Sequence, residues 1–271
     1  VEKAKAELGQ IFEIKDLGEA KWILGMEIKR NRQERTITLN QKQYALEILE
    51  QHGMSECKPA STPMIPGAQL LKVEEAEVNI QTYQSAIGSL MYLMLGSRPD
   101  LAHSVGALSQ FSAKPGKEHL VTIKRVFRYL KGTVNHSILF KSKGNTLPLG
   151  YSDSDWATDK NDRRSITGYI FILANGAISW SSKKQSSTAL SSTEAEYMAA
   201  AHTTKEAVWI HFLLKELGLG ARSATIIKMD NQSSISLTKN PEFHSRTKHI
   251  DVRYHFIREK MEDKTIRPEY I

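Results

Sequence analysis

YSDSDWA at 151–157 carries an apolar run, Leu147–Ser152, straight into an aspartate, and three later stretches answer it: STEAEYMAA at 192–200, MDNQSSI at 229–235 and TKHIDVRYHFIRE at 247–259. Asp153 falls at the end of a predicted strand, Glu196 in the first turns of a predicted long helix, and Asp230 at the end of a later strand. In an open α/β sheet such strand ends can lie side by side. Carboxylates converging from separate elements offer the hard oxygen ligands that Mg²⁺ prefers. Two such ions about 4 Å apart activate water and stabilise a phosphoryl transition state. The order Asp, Glu, Asp therefore points to metal-dependent phosphodiester chemistry. Asp155 competes with Asp153 for the first position. Each acid also has an ordinary explanation. Aspartates at strand ends are common turn residues, and Thr193-x-x-Glu196 reads as a capping box. A neighbouring box, Ser191-x-x-Glu194, can serve the cap and leave Glu196 free.

Outward from these acids, Ile166–Leu173 and Ala177–Ser182 alternate as strands around an Asn175-Gly176 hairpin signal. Ser192–Leu217 reads as the longest helix, with Tyr197, Ala201, Val208 and Phe212 along one face and Gly218 as its stop. Thr225–Met229 is a strand, Ser233–Lys239 a short helix, Asp251–Asp263 a helix with Asp251 as its N-cap, and Thr265–Tyr270 a strand. Upstream, Lys21–Arg30 and Thr36–Asn40 are strands about a polar turn, and Gln41–His52 is a helix. Residues 55–67, rich in Pro, Ser and Thr, form a connector. Helices follow from Gln81 to the Arg98-Pro99 break, over Leu101–Phe111 and over Glu118–Leu130, and Ser137–Phe140 is a short strand. The class is α/β, or α+β. Trp156, Trp180 and Trp209 are expected in the core.

The 271 residues suffice for one or two domains. No apolar run reaches the length of a membrane span, and no secretory signal opens the chain. Val1 without a methionine, followed by a helix-like EKAKAEL, reads as a piece of a longer protein. The single cysteine, Cys57, excludes an internal disulfide and a multi-cysteine zinc site, and fits a reducing compartment. A net charge of +7 favours a polyanionic partner. Residues 1–145 carry 20 Lys/Arg against 15 Asp/Glu, and residues 146–271 carry 17 against 15, so the excess lies mainly outside the acidic constellation. Arg163, Arg164, Lys183 and Lys184 flank the predicted hairpin and suit contacts to a phosphate backbone; a solvated hairpin edge explains them equally. Lys248 and His249 suit phosphate contact or a turn cap. His244, His249 and His255 cluster without a cysteine.

RRSITGYIFILANGAISWSSKKQ (163–185), ALSSTEAEYMAA (189–200), DNQSSISLTKNPEFHSRTKHID (230–251) and RYHFIRE (253–259) closely resemble the ribonuclease H domain of Ty1/copia-type retrotransposon Pol polyproteins. The N-terminal half resembles the end of that family's reverse transcriptase. IFEIKDLGEAKWILGMEIKR (11–30) is similar to the segment after the polymerase acid motif, and YQSAIGSLMYLMLGSRPDLAHSVGALSQF (83–111) to thumb and connection helices. The resemblance implies three parts: a palm end with a primer-grip-like hairpin at 1–60, thumb/connection-like helices at 61–145, and a ribonuclease H-like mixed-sheet domain at 146–271. It implies that Asp153, Glu196 and Asp230 are catalytic metal ligands for two Mg²⁺, with Mn²⁺ as a substitute. The family's fourth acid lies on a helix after the last strand, beyond Ile271, and Asp251 is the alternative for that role. The implied activity is hydrolysis of the RNA strand of RNA–DNA hybrids. The implied partners are hybrid and primer-template nucleic acid and the rest of the polyprotein, in a cytoplasmic virus-like particle or the nucleus, without membrane or secretion. Ser191, Ser192 and Thr193 are candidates to bond a ribose 2′-hydroxyl. No adjacent Asp-Asp pair occurs in the chain, so polymerase activity is not expected of it. The competing reading is a catalytically inactive, nucleic-acid-binding remnant of such an element.

Overall fold

The computed structural model describes residues 2–144, 146–219, 223–239 and 248–271, with backbone alone at 237–239 and 248–254. α1 (Glu2–Ile11) buries none of its residues. A first sheet follows in the order β1 (Trp22–Ile23), β2 (Met26–Asn31), β3 (Thr36–Asn40) and β4 (Ile138–Lys141), antiparallel throughout. The single strand expected at 21–30 is in fact split. Leu24 and Gly25 take φ of 48° and 70°, and Ile23 pairs with Met26 around them. Two positive-φ residues are what a tight hairpin needs to match strand twist. Gly25 has a second reason to be glycine, because a Cβ there would stand 2.8 Å from the Tyr92 hydroxyl.

α2 (Lys42–Gln51), α3 (Ile80–Gly96), α4 (Ala102–Ser109) and α5 (Lys117–Gly132) pack as the first core, with a single 3-10 turn at Pro99–Leu101 where proline ends the preceding run. Asn79 caps α3 by accepting from Thr82 N at 2.8 Å. Ala45, Ile48 and Leu49 of α2 share this core with Leu90, Leu93, Val126 and Leu130. β4 returns from α5 to β3, pairing Thr36 with Lys141. The residues before and after position 60 therefore share one sheet and one core.

The second sheet contains β5 (Leu149–Ser154), β6 (Ile166–Leu173), β7 (Gly176–Lys184), β8 (Thr225–Met229) and β9 (Ile266–Tyr270) in the order β7-β6-β5-β8-β9. β5, β6 and β7 form an antiparallel meander; β8 joins β5, and β9 joins β8, in parallel. Parallel neighbours need crossover connections, supplied by α6 (Ser192–Glu216) and by α7 (Gln232–Lys239) with α8 (Lys248–Glu262). Three strands, a helix, a strand, two helices and a strand is the order that the ribonuclease H resemblance implies.

Four local expectations need correction. The hairpin turn sits one residue earlier than Asn175-Gly176: Ala174 and Asn175 take φ of 51° and 66°, and Gly176 already pairs with Leu173. Gly176 is needed for close approach instead, since a Cβ there would lie 2.4 Å from Phe140 Cδ1 on β4. The buried face of α6 runs through Tyr197, Ala200, Ala207, Ile210 and Leu214, leaving Phe212 58% exposed. Trp156 and Trp209 are also more than half exposed rather than core, whereas Trp180 is half-buried and donates Nε1–H to Met94 O at 3.0 Å, tying β7 to α3. Finally, α8 already includes Lys248, so Asp251 lies inside the helix and is not its N-cap.

Candidate metal centre

β5 and β8 bring two acids together by register. Leu149 pairs with Ile226 and Tyr151 with Lys228 in parallel. Continuing that register by two residues sets Asp153 level with Asp230 on adjacent strands, which lie about 4.8 Å apart. α6 supplies the third acid. Ala195, Ala199 and Ala200 are fully or almost fully buried, and such small side chains let the helix lie close on the sheet. Thr203 Oγ1 donates to Ser152 Oγ at 2.9 Å, and Gln185 Nε2 donates to Ala195 O at 2.9 Å. These bonds fix the rotation of α6 that turns Glu196 toward the strand ends. Ser191 caps the helix by accepting from Glu194 N at 3.1 Å, and Glu194 Oε2 accepts from Leu190 N at 2.8 Å. The Ser191/Glu194 pair thus serves the cap and Glu196 is free of it.

Oxygen atoms of Asp153, Glu196 and Asp230 lie within 4.8 Å of one another. Asp153 and Asp230 are exposed and Glu196 is buried. Glu196 Oε1 accepts from Ser154 N at 3.2 Å, while its Oε2 is buried without a hydrogen-bond partner. Burial pushes the Glu196 pKa up to about 7, aided by the charges of Asp153 and Asp230 and opposed by the Ser154 N–H. Asp153 is shifted upward as well, first by burial of its carboxyl and then by Asp230. Three repelling carboxylates with an orphaned oxygen form a donor set that a hard divalent cation satisfies.

Asp155 is engaged elsewhere. Its Oδ1 accepts from Ile166 N at 2.8 Å and its Oδ2 from the Thr158 hydroxyl, so it organises the turn after β5. Asp251, Lys248 and His249 have side chains outside the described residues, and His244 lies outside them altogether. Arg163 is exposed, and Arg164 is half-buried with Nε 3.9 Å from Asp162. Lys183 is exposed on β7. Lys184 differs from expectation: it is ion-paired with Asp159 and with Asp162 at 3.2 Å, so its charge is neutralised within the protein. His202 and Lys205, which sequence reasoning missed, line a cleft of about 220 Å³ with Lys183. Their i, i+3 spacing on one face of α6 was the available signal. A second cleft, of about 440 Å³, runs from Asp153 and Tyr151 to Pro99, His103 and Trp180, between the two sheets' helices and strands.

No family model matches the chain. The chain is 45% identical, over 98% of its length, to the retrovirus-related Pol polyprotein from transposon TNT 1-94 of Nicotiana tabacum. It is 37% identical to the mitochondrial protein AtMg00810 of Arabidopsis thaliana, over 75% of this chain and 83% of that one. The chain belongs to the Pol polyprotein family of copia-type retrotransposons. It spans about a fifth of the length of the TNT 1-94 polyprotein. Among solved structures, the Pol chain matches a compost-derived LC11-RNase H1 at 16% identity and a TM-score of 0.35, over 46% of this chain and 84% of that one. No helix among the described residues of this Pol chain is long and apolar enough to cross a membrane.

Proposed function

We propose that this chain carries the ribonuclease H activity of a Pol polyprotein and hydrolyses the RNA strand of RNA–DNA hybrids, leaving 3′-hydroxyl and 5′-phosphate ends. The observation that carries the reading is the convergence of Asp153, Glu196 and Asp230 from two parallel strand ends and one helix. On this reading these residues hold Mg²⁺, in a two-ion site that also accepts Mn²⁺. When bound, the ions supply the positive charge that activates water and stabilises the phosphate. The chain's own part is to fix the ligands: β5 and β8 set the spacing of Asp153 and Asp230, and Ser154 N–H orients the Glu196 carboxylate. Arg163, Arg164 and Lys183 are exposed or half-exposed cations suited to the phosphate backbone. Residues 1–60 and 61–145 then correspond to a reverse transcriptase's palm end and its thumb or connection helices, which grip primer-template, and 146–271 to the nuclease domain.

The test is Mg²⁺-dependent cleavage of a labelled RNA–DNA hybrid, with Asp230→Asn as control. RNA-strand cutting that the substitution abolishes supports the nuclease. Hybrid binding without cutting leaves the catalytically inactive, nucleic-acid-binding remnant as the reading, and neither binding nor cutting excludes both.

A further inference from the structure

The eleven-residue loop between β5 and β6 begins two residues after Asp153 and carries three cations, Lys160, Arg163 and Arg164. Such a loop has many conformations open to it, and each must be excluded if the cations are to meet a phosphate backbone in fixed positions. Internal bonds exclude some. Asp159 Oδ1 accepts from Asn161 N at 2.7 Å, Arg163 N donates to Asp159 O at 2.8 Å, and Arg163 is held at φ 57°. Lys184 ties down Asp159 and Asp162.

One anchor comes from far away in sequence. Asn161 Oδ1 accepts from Lys72 N at 2.8 Å, and Asn161 Nδ2 donates to Leu70 O at 2.9 Å. A single side-chain amide thus pairs with the main chain on both sides of Leu71, as a neighbouring strand would. The connector between α2 and α3, which extends past residue 67 through Leu70–Lys72, has no regular structure to satisfy those groups itself. Loop, connector and α4 enclose a cavity of about 320 Å³ bordered by Leu70, His103, Asp155 and Lys160.

We propose that Asn161 is a positioning residue for nucleic-acid binding: it pins the β5–β6 loop to the connector and so holds Lys160, Arg163 and Arg164 where they meet the backbone of the strand presented to Asp153. The inference rests on the proposed nucleic-acid function. It makes the N-terminal half a structural determinant of substrate grip at the acidic site, through hydrogen bonds that span 89 and 91 residues of sequence.

The experiment measures hybrid binding by fluorescence anisotropy without divalent metal, across a salt series, for the full chain. Asn161→Ala is expected to raise Kd roughly three- to tenfold and to make the log–log salt slope shallower by about one. Combined with Lys160→Ala/Arg163→Ala/Arg164→Ala it should add nothing further, because those three cations are what it positions. Lys72→Pro deletes the N–H that Asn161 accepts and should reproduce the shift beyond that of Lys72→Ala, which removes the charge but keeps the N–H. A lower melting temperature for Asn161→Ala with unchanged Kd and salt slope would make the pin merely structural and overturn the inference. So would full additivity with the triple removal of Lys160, Arg163 and Arg164, or unchanged binding when those three cations are removed. If the unsubstituted chain binds no hybrid, the proposed function fails and this inference fails with it.

Discussion

Replacing Asp230 by Asn should stabilise the metal-free protein while abolishing its response to metal. Oxygens of Asp153, Glu196 and Asp230 lie within 4.8 Å of one another. At that separation two unit charges repel by about 0.9 kcal/mol under full water screening and by about 3.5 kcal/mol at an effective dielectric of 20. Asp230 and Asp153 are exposed, which places their pair toward the lower figure, and Glu196, with a pKa of about 7, is only partly charged near neutrality. Removing the Asp230 charge should therefore relieve about 1 to 2 kcal/mol. In a chain of this size that raises the melting temperature by about 2 to 6 °C in EDTA. The unsubstituted protein should gain stability on adding Mg²⁺, since a ligand bound by the folded state alone stabilises it by mass action; the variant should gain little. Thermal unfolding by circular dichroism, with and without Mg²⁺, reads both effects. A variant that melts lower than the parent in EDTA, or that keeps the full Mg²⁺ shift, would refute the claim that this cluster is a strained, cation-demanding site.

Arg98 is buried and pairs with Asp100 at 2.7 Å, and Asp100 also accepts from the Tyr129 hydroxyl at 2.9 Å. Burial alone would raise the Asp100 pKa, but hydrogen bonds and charge from Arg98 outweigh it and hold it low. Arg98→Met should cost about 1 to 3 kcal/mol in urea unfolding, because it removes the donor to Thr133 O and the partner of the partly exposed Asp100 carboxylate, and adding Asp100→Leu should recover part of the loss; failure of the double variant to recover would assign the cost to packing and Thr133 instead. His119 is buried, stacks on Phe111 at 3.9 Å between ring centroids, and accepts from Gly116 N through Nδ1 at 2.8 Å. Burial holds its pKa below the ordinary histidine value. The unfolded chain then binds the extra proton first, so the contribution of His119 is fully present above about pH 6.5 and is lost as pH falls below it. His119→Gln should flatten that part of the stability profile relative to the parent, and an unchanged slope would mean another group is responsible.

Much of the second sheet was legible because its signals are local. Alternation over 166–173 and the Ser191/Glu194 cap each act within a few residues, as does the helical spacing that carries α6; the hairpin signal at Asn175-Gly176 was legible too, but one residue late. The three acids that meet in the fold each end or begin a locally recognisable element, whereas local pattern alone left Asp155 in competition with Asp153. The errors arose where packing outvotes local pattern. Val208 and Phe212 fit a helical stripe, yet the sheet covers Ala207 and Ile210 and leaves Phe212 in solvent. Lys184 read as a surface cation until Asp159 and Asp162 folded onto it.

By itself the sequence determined the mixed α/β character, the order of elements and the carboxylates available for metal, since hydrophobic periodicity, capping and turn chemistry are short-range. Only the tertiary structure decided that β8 pairs in parallel with β5, which sets Asp230 beside Asp153 across 77 residues of chain. It alone decided that β4 completes the first sheet, that Glu196 is buried with an unsatisfied oxygen, and that Asn161 grips the connector at Leu70 and Lys72. Those outcomes depend on strand register and side-chain burial between distant segments, whose energies are settled only when the segments meet.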